Sequence, residues 1–311
     1  MANEITKELR QEWIEKVEED GPDALEDAPK RLRSDKEFML EAVKRDGYAL
    51  EFASWALQED KEVVLAAVTS CGGALEYASD ELRDDKEVVL VAVKNPDRDE
   101  FDLPVYPFSP LQYASDRLKA DTEVALAALC VSWALKYIND ELLKDKDFML
   151  AAVKQNSRAL DYASEDFRAD KEVVLAAVSS DGFALEYASE EFSLDKEIVL
   201  AAVSENGLAL KCAKDGFKSD KDVVLAAVSS NGVALQYAGE AFRADKKIVL
   251  AAVKKSGSAL EYASDDLRAD KEVVLEAVSQ SGWALNYASP ELQKDPEVLA
   301  ACKPVDDDLP F

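Results

Sequence analysis

Apolar positions along this chain recur in a fixed phase. The prevailing unit reads DKEVVLAAVSSxGxALEYASEELRA, and the aspartate that opens it recurs from Asp35 to Asp295 every 25 residues, except for 36 after Asp85 and 24 after Asp121. Aspartate is a strong N-cap, and the glutamate two places on falls in the positive first turn. The spacing therefore predicts a helix over DKEVVLAAVSS. At about 100° per residue, its two valines, leucine, second alanine and last valine form a wide apolar arc, suited to a helix with neighbours on both sides. A glycine follows in seven copies, among them Gly47, Gly182 and Gly207, where a left-handed C′ residue would end the helix. ALEYA predicts a second, shorter helix with alanine, leucine and tyrosine inward. Serine in seven copies, and Asn139 in one, then caps a single turn of the type SEELRA. Ser289-Pro290 carries the cap with proline at the first helical position.

One such unit cannot enclose a core, whereas stacked units share one. The expected fold is all-α: an α-solenoid of 25-residue helical repeats, with a right-handed superhelix as the commoner stacking of helix pairs. Residues 1–34 read as an N-terminal cap with a degenerate repeat, residues 35–294 as ten repeats, and residues 295–311 as a half-repeat cap with an acidic tail. The exception to the period is PDRDEFDLPVYPFSP, residues 96–110, with four of the ten prolines. Aligning Leu111-Gln112-Tyr113-Ala114 with the other ALEYA blocks places the 11 extra residues, within the loop 96–109, in the turn between the two helices, so the stack need not break. Phe101, Leu103, Val105, Tyr106 and Phe108 alternate there with acids and prolines, an extended pattern.

The strings KEVVLAAVSSDGFALEYASEEF and KEVVLAAVKKSGSALEYASDDLRADKEVVLEAV resemble the repeats catalogued as domain of unknown function 4116, over about residues 35–300. The resemblance implies a helical repeat fold and a generic interaction role, with no assigned activity. The departures are the insertion after Asn95, the glycine-free CVSW turn at 130–133, and Ser157 where glycine is usual.

Charge narrows the partner. The 311 residues hold 64 acidic and 37 basic side chains and no histidine, a net charge of -27. Such a surface repels phosphate backbones and anionic lipid, which argues against direct nucleic-acid binding and membrane insertion and favours a basic partner. No run approaches about 18 apolar residues and the start lacks a signal-like core. Cys71, Cys130, Cys212 and Cys302 are widely spaced. Layers about 8–10 Å apart hold Cys71 and Cys130 about 16 Å from each other, beyond the roughly 7 Å a disulfide spans. Reduced cysteines point to the cytoplasm or another soluble reducing intracellular compartment.

Chemistry is sparse. Without histidine most transition-metal sites are removed, and there is no phosphate-cradling glycine motif, so neither a cofactor nor catalysis is expected. Paired acids such as Asp80-Glu81 and Glu190-Glu191 could hold calcium, but they recur at one register where acids favour the helix dipole. The recurring tyrosines, Tyr77 to Tyr287, read as a buried ladder. A basic cluster of Lys211, Lys214, Lys218 and Lys221 could dock an acidic ligand or pair with its neighbours. The slot after the glycine varies most, so it could either staple the turn or read a ligand. The candidate partner-binding residues are accordingly Phe101, Asp102, Tyr106 and Phe108 of the insertion, and Trp133, Arg158, Phe183 and Trp283 of the variable slot. The expected function is a noncatalytic scaffold that binds a protein or peptide through this turn edge and the 96–109 loop. The alternative is a nucleic-acid mimic filling the basic groove of a DNA- or RNA-binding protein.

Overall fold

A computed structural model describes residues 5–97 and 108–302. The chain divides into two compact units, one up to Asn156 and one from Ser157. The described residues of each are helical, with no strand, and stack repeats of one design. In the repeat opened by Asp220, a long α-helix runs Lys221–Ser230, a 3₁₀ helix Gly232–Tyr237, and a single α-turn Glu240–Arg243. The second element winds its six residues into two 3₁₀ turns. Its entry is set by an Asx turn, in which the Asn231 side chain accepts from the Val233 amide at 3.1 Å. Asp46, Asp181 and Asn206 do the same ahead of their glycines.

The core is narrower than the periodicity predicts. In Lys221–Ser230 the buried residues are Val223, Val224, Ala227 and Val228, an i, i+1, i+4, i+5 stripe repeated in the other long helices of this type. The leucine expected inward is not part of it: Leu225 is 40% exposed. It sits about 60° beyond the last valine, past the edge of the shared interface. The 3₁₀ helix supplies the complement, with Ala234 and Leu235 fully buried.

Three lateral ladders join successive repeats. In the first, most cap aspartates divide their two oxygens between neighbouring repeats. Oδ1 of Asp220 accepts from the Asp222 and Val223 amides of its own helix, while Oδ2 receives Lys196 Nζ from the preceding repeat at 2.8 Å. Lys36–Asp60, Lys61–Asp85 and Lys86–Asp121 repeat this at 2.7, 2.7 and 2.8 Å in the first unit, and Arg10 of the N-terminal helix Lys7–Asp20 reaches Asp35. Rungs this exposed contribute about 0–1 kcal/mol each. The Lys86–Asp121 rung spans the insertion with unchanged geometry, so the extra residues leave the stack intact. Thr122 stands where a rung lysine would be. Among the described residues Lys221 makes no ion pair with Asp245, because Lys247 replaces the acid that elsewhere helps to draw it in.

The second ladder is backbone. Within each unit the amide at the start of a capping turn donates to a carbonyl of the preceding turn: Ser54 to Arg33 at 2.7 Å, Ser115 to Arg83 at 3.0 Å, Gly239 to Lys218 at 2.7 Å. Because the main chain makes this bond, the position accepts Ser, Asn139, Lys214 or Gly239. The capping role expected of its serine side chain holds at Ser79, Ser115, Ser164 and Ser289. At Ser54, Ser189 and Ser264 no such bond forms.

The third ladder corrects the reading of the glycines. Gly21 alone among the described glycines has positive φ, so the repeated glycines are not left-handed helix ends. They open the 3₁₀ helices, pressed against the end of the next long helix. A Cβ on Gly47, Gly182, Gly207, Gly232 or Gly257 would collide with the carbonyl oxygen of the alanine twenty residues on, such as Ala227 for Gly207.

The cap aspartates make the stack sensitive to acid. For Asp195, Asp220, Asp270 and Asp295 the ladder lysine outweighs burial and, with the backbone amides, holds each carboxyl below its usual range. For Tyr77, burial first and the Glu51 carboxylate second push the phenol up to about 12 from an ordinary 10. A lowered carboxyl stabilises the fold above its unfolded pKa and loses that contribution as pH falls through the folded one. A raised phenol favours the fold until the unfolded chain begins to ionise. Stability is therefore expected to hold from about pH 5 to 10 and to fall on either side, as urea midpoints against pH would show. A midpoint unchanged between pH 5 and 3 would rule out the aspartate contribution.

Candidate functional site

The insertion is tied down at both described ends, on the turn edge of the first unit. At its start, Asp97 accepts from the Gly73 amide through Oδ1 at 3.0 Å and from the Tyr48 hydroxyl through Oδ2. The Asn95 carbonyl accepts from the Gly72 amide at 2.9 Å. At its end, the Phe108 ring packs on Tyr113 with centroids 6.0 Å apart, and the Trp133 indole N–H donates to the Phe108 carbonyl. Gly73 leaves room for this cluster, since a Cβ would press on the side chains of Tyr48, Asp97 and Phe108. Burial and the Asp97 carboxylate together drive the Tyr48 phenol far above its ordinary value, so it stays a hydrogen-bond donor. This cluster is an anchor for the insertion. Phe101, Asp102 and Tyr106 lie outside the described residues.

The variable slot therefore has several roles. Tyr48, Gly73 and Trp133 hold the insertion. Phe183 is half-buried, with Lys211 Nζ 4.5 Å from its ring centroid. Leu208 and Val233 are half-buried, while Arg158 is exposed and Trp283 is 58% exposed. The structure thus joins Phe108 with Trp133, and leaves Phe183, Arg158 and Trp283 on separate repeats of the second unit.

The tyrosines expected in a buried ladder are half-buried instead. They lie at the border of the 3₁₀ layer, where the phenol reaches the rim; Glu51 and Glu76, each one residue before the aromatic slot of the preceding repeat, face Tyr77 and Tyr113. Local pairing accounts for much of the basic cluster: Lys214 binds Glu190, Lys218 binds Asp215 at 2.9 Å, and Lys211 covers Phe183. None of the four cysteines is in a disulfide, and burial raises the Cys71 and Cys212 thiols above the ordinary value, which makes them poor nucleophiles.

A second edge carries open concavities that the sequence did not reveal. Open grooves lie between successive capping turns: 550 Å³ between Trp55 and Arg83 in the first unit, and in the second 500 Å³ between Glu165 and Glu190, 550 Å³ between Leu185 and Lys214, and 310 Å³ between Asp265 and Pro290. Each has on its rim at least one of the acids that begin these turns, and the groove between Leu185 and Lys214 also carries two lysines. Arg83 and Arg268 fold back onto Asp80 and Asp265 of their own turns. The acid pairs were visible as a register, but the hollow between them arises only when two turns are stacked. Trp55 was a missed signal, an aromatic where the register otherwise places mostly acids.

Among the described residues no cluster of three or more Cys, Asp or Glu could hold a metal ion, and no helix is long and apolar enough to cross a membrane. No curated protein and no solved structure matches the chain. A family model described as a domain of unknown function (DUF4116) matches seven times, over residues 14–58, 60–98, 130–168, 145–193, 170–218, 195–243 and 245–293. The matches omit residues 99–129, which contain most of the insertion and the start of the shortened repeat. With its repeats matched over most of its length, the chain belongs to the DUF4116 family.

Proposed function

We propose that the chain is a noncatalytic interaction scaffold for a cationic protein or peptide. The observation that carries this reading is how the charges are divided. Lysines at the starts of the long helices are used in the lateral ladder, whereas carboxylates such as Glu59, Glu81, Glu165 and Asp166 stand exposed beside open grooves. These four have no ion pair among the described residues, although Asp80, Glu190 and Asp265 do, and such unpaired carboxylates attract basic partners and repel nucleic acid and anionic lipid. The inter-helix turns of each unit are the second part of the proposal: the insertion anchored at Asp97 and Phe108 in the first unit, and Arg158 and Trp283 in the second. Regular recurrence of the carboxylates also favours a second reading, in which the chain mimics a nucleic-acid backbone.

The test keeps both anchors and replaces residues 98–107 with a short Ser-Gly linker. Wild type and variant are compared for capture of partners from native lysate at low salt and at about 150 mM salt. A partner lost only from the variant and retained in salt supports binding at the insertion. Basic proteins captured by both and released by salt favour mimicry. Capture of nothing by either form counts against both readings.

A further inference from the structure

We infer that the groove beside Trp55 is a docking site for an arginine side chain carried by an extended basic peptide; this deepens the scaffold reading and rests on it. Trp55 is the first residue of the short helix Trp55–Gln58. The same position holds Asp80, Asp116, Glu165, Glu190 or Glu240 in other repeats, where an acid gains from the helix dipole. The indole gives up that stabilisation and fills no core: it is 79% exposed and, among the described residues, makes no hydrogen bond, ring contact or cation–π contact. An exposed tryptophan that its own fold does not use is available to a partner.

The surroundings specify the partner's charge. On one side the indole borders the 550 Å³ groove, whose other walls include Gln58, Glu59, Tyr77, Asp80 and Glu81. The groove's one cation, Arg83, is turned onto Asp80, while Glu59 and Glu81 have no ion pair among the described residues. On the other side Trp55 closes a 240 Å³ pocket with Phe52, Lys30 and Arg33, where a second cation would be repelled. A cation can therefore approach from the acidic side alone. A guanidinium fits best there, because it stacks on an indole face while its N–H groups reach carboxylates at the rim.

The probe is a fluorescently labelled hexa-arginine peptide, with hexacitrulline as the uncharged match, read by anisotropy at about 150 mM salt. The decisive variant is Trp55→Glu. It installs the residue type that other repeats carry at this position, so the turn still forms, and it makes the surface more acidic. Simple charge attraction would then strengthen, whereas loss of the aromatic face weakens binding by about 5- to 10-fold. The proposal expects that weakening, expects a similar loss for Glu59→Gln combined with Glu81→Gln, and expects hexacitrulline not to bind. Equal or tighter binding by Trp55→Glu overturns the Trp55 site and leaves the acidic scaffold standing. Failure of the wild type to bind hexa-arginine overturns both.

Discussion

Gly207→Ala is expected to destabilise the second unit by about 2–3 kcal/mol, although alanine is the better residue for almost any helix. Since Gly207 does not need a positive φ, its own backbone would accept a side chain. The obstacle is the next repeat: the new Cβ would collide with the Ala227 carbonyl oxygen and lie 2.9 Å from the Asn231 amide nitrogen. Both are main-chain atoms within a packed helix end, so no rotamer change relieves the contact. The 3₁₀ helix Gly207–Cys212 must lift away from Lys221–Ser230, which opens the interface the two repeats share. Gly216→Ala is the control. Nothing lies within 4 Å of its Cβ position, and in the short helix Asp215–Lys218 it should stabilise by about 0.5–1 kcal/mol through helix propensity and unfolded-state entropy. Urea unfolding gives the size of each effect. Amide exchange locates it, since stability in a repeat stack is a sum of local and nearest-neighbour terms. A Gly207→Ala protein as stable as wild type would refute the close-approach account.

The second large effect separates two leucines of one repeat. Leu235→Ala, in the 3₁₀ helix and fully buried, should cost about 2–5 kcal/mol, the transfer of the lost atoms plus the cavity they leave. Leu225→Ala, in the long helix and 40% exposed, should cost less than about 1 kcal/mol. From the pattern of the chain the two are equivalent. If the midpoints shifted equally, the long helix would be buried over the wider arc that its composition implies.

Much of this protein is written in its residues. The period from Asp35 to Asp295, the caps at the starts of the long helices and the valine-rich stripe specify stacked helices, because these depend on contacts within a few residues or on strict repetition. The placement of the insertion in an inter-helix turn follows from the same alignment, and the Lys86–Asp121 rung accommodates it. What the sequence alone could not settle depends on atoms that meet across repeats. The glycines look like helix terminators because glycine serves both roles; the backbone they touch lies twenty residues away. The serines look like caps, yet what recurs most widely at that position is an amide bonding to the preceding turn, which any residue but proline supplies. The aspartates read as caps, but their second oxygen is used by a lysine of the neighbouring repeat. The candidate site divides in the same way. Trp55 and the acid pairs were present as letters; the groove between them exists only where two capping turns lie side by side. Local chemistry determined the elements of this protein, and the meeting of adjacent repeats determined which of their faces remain open.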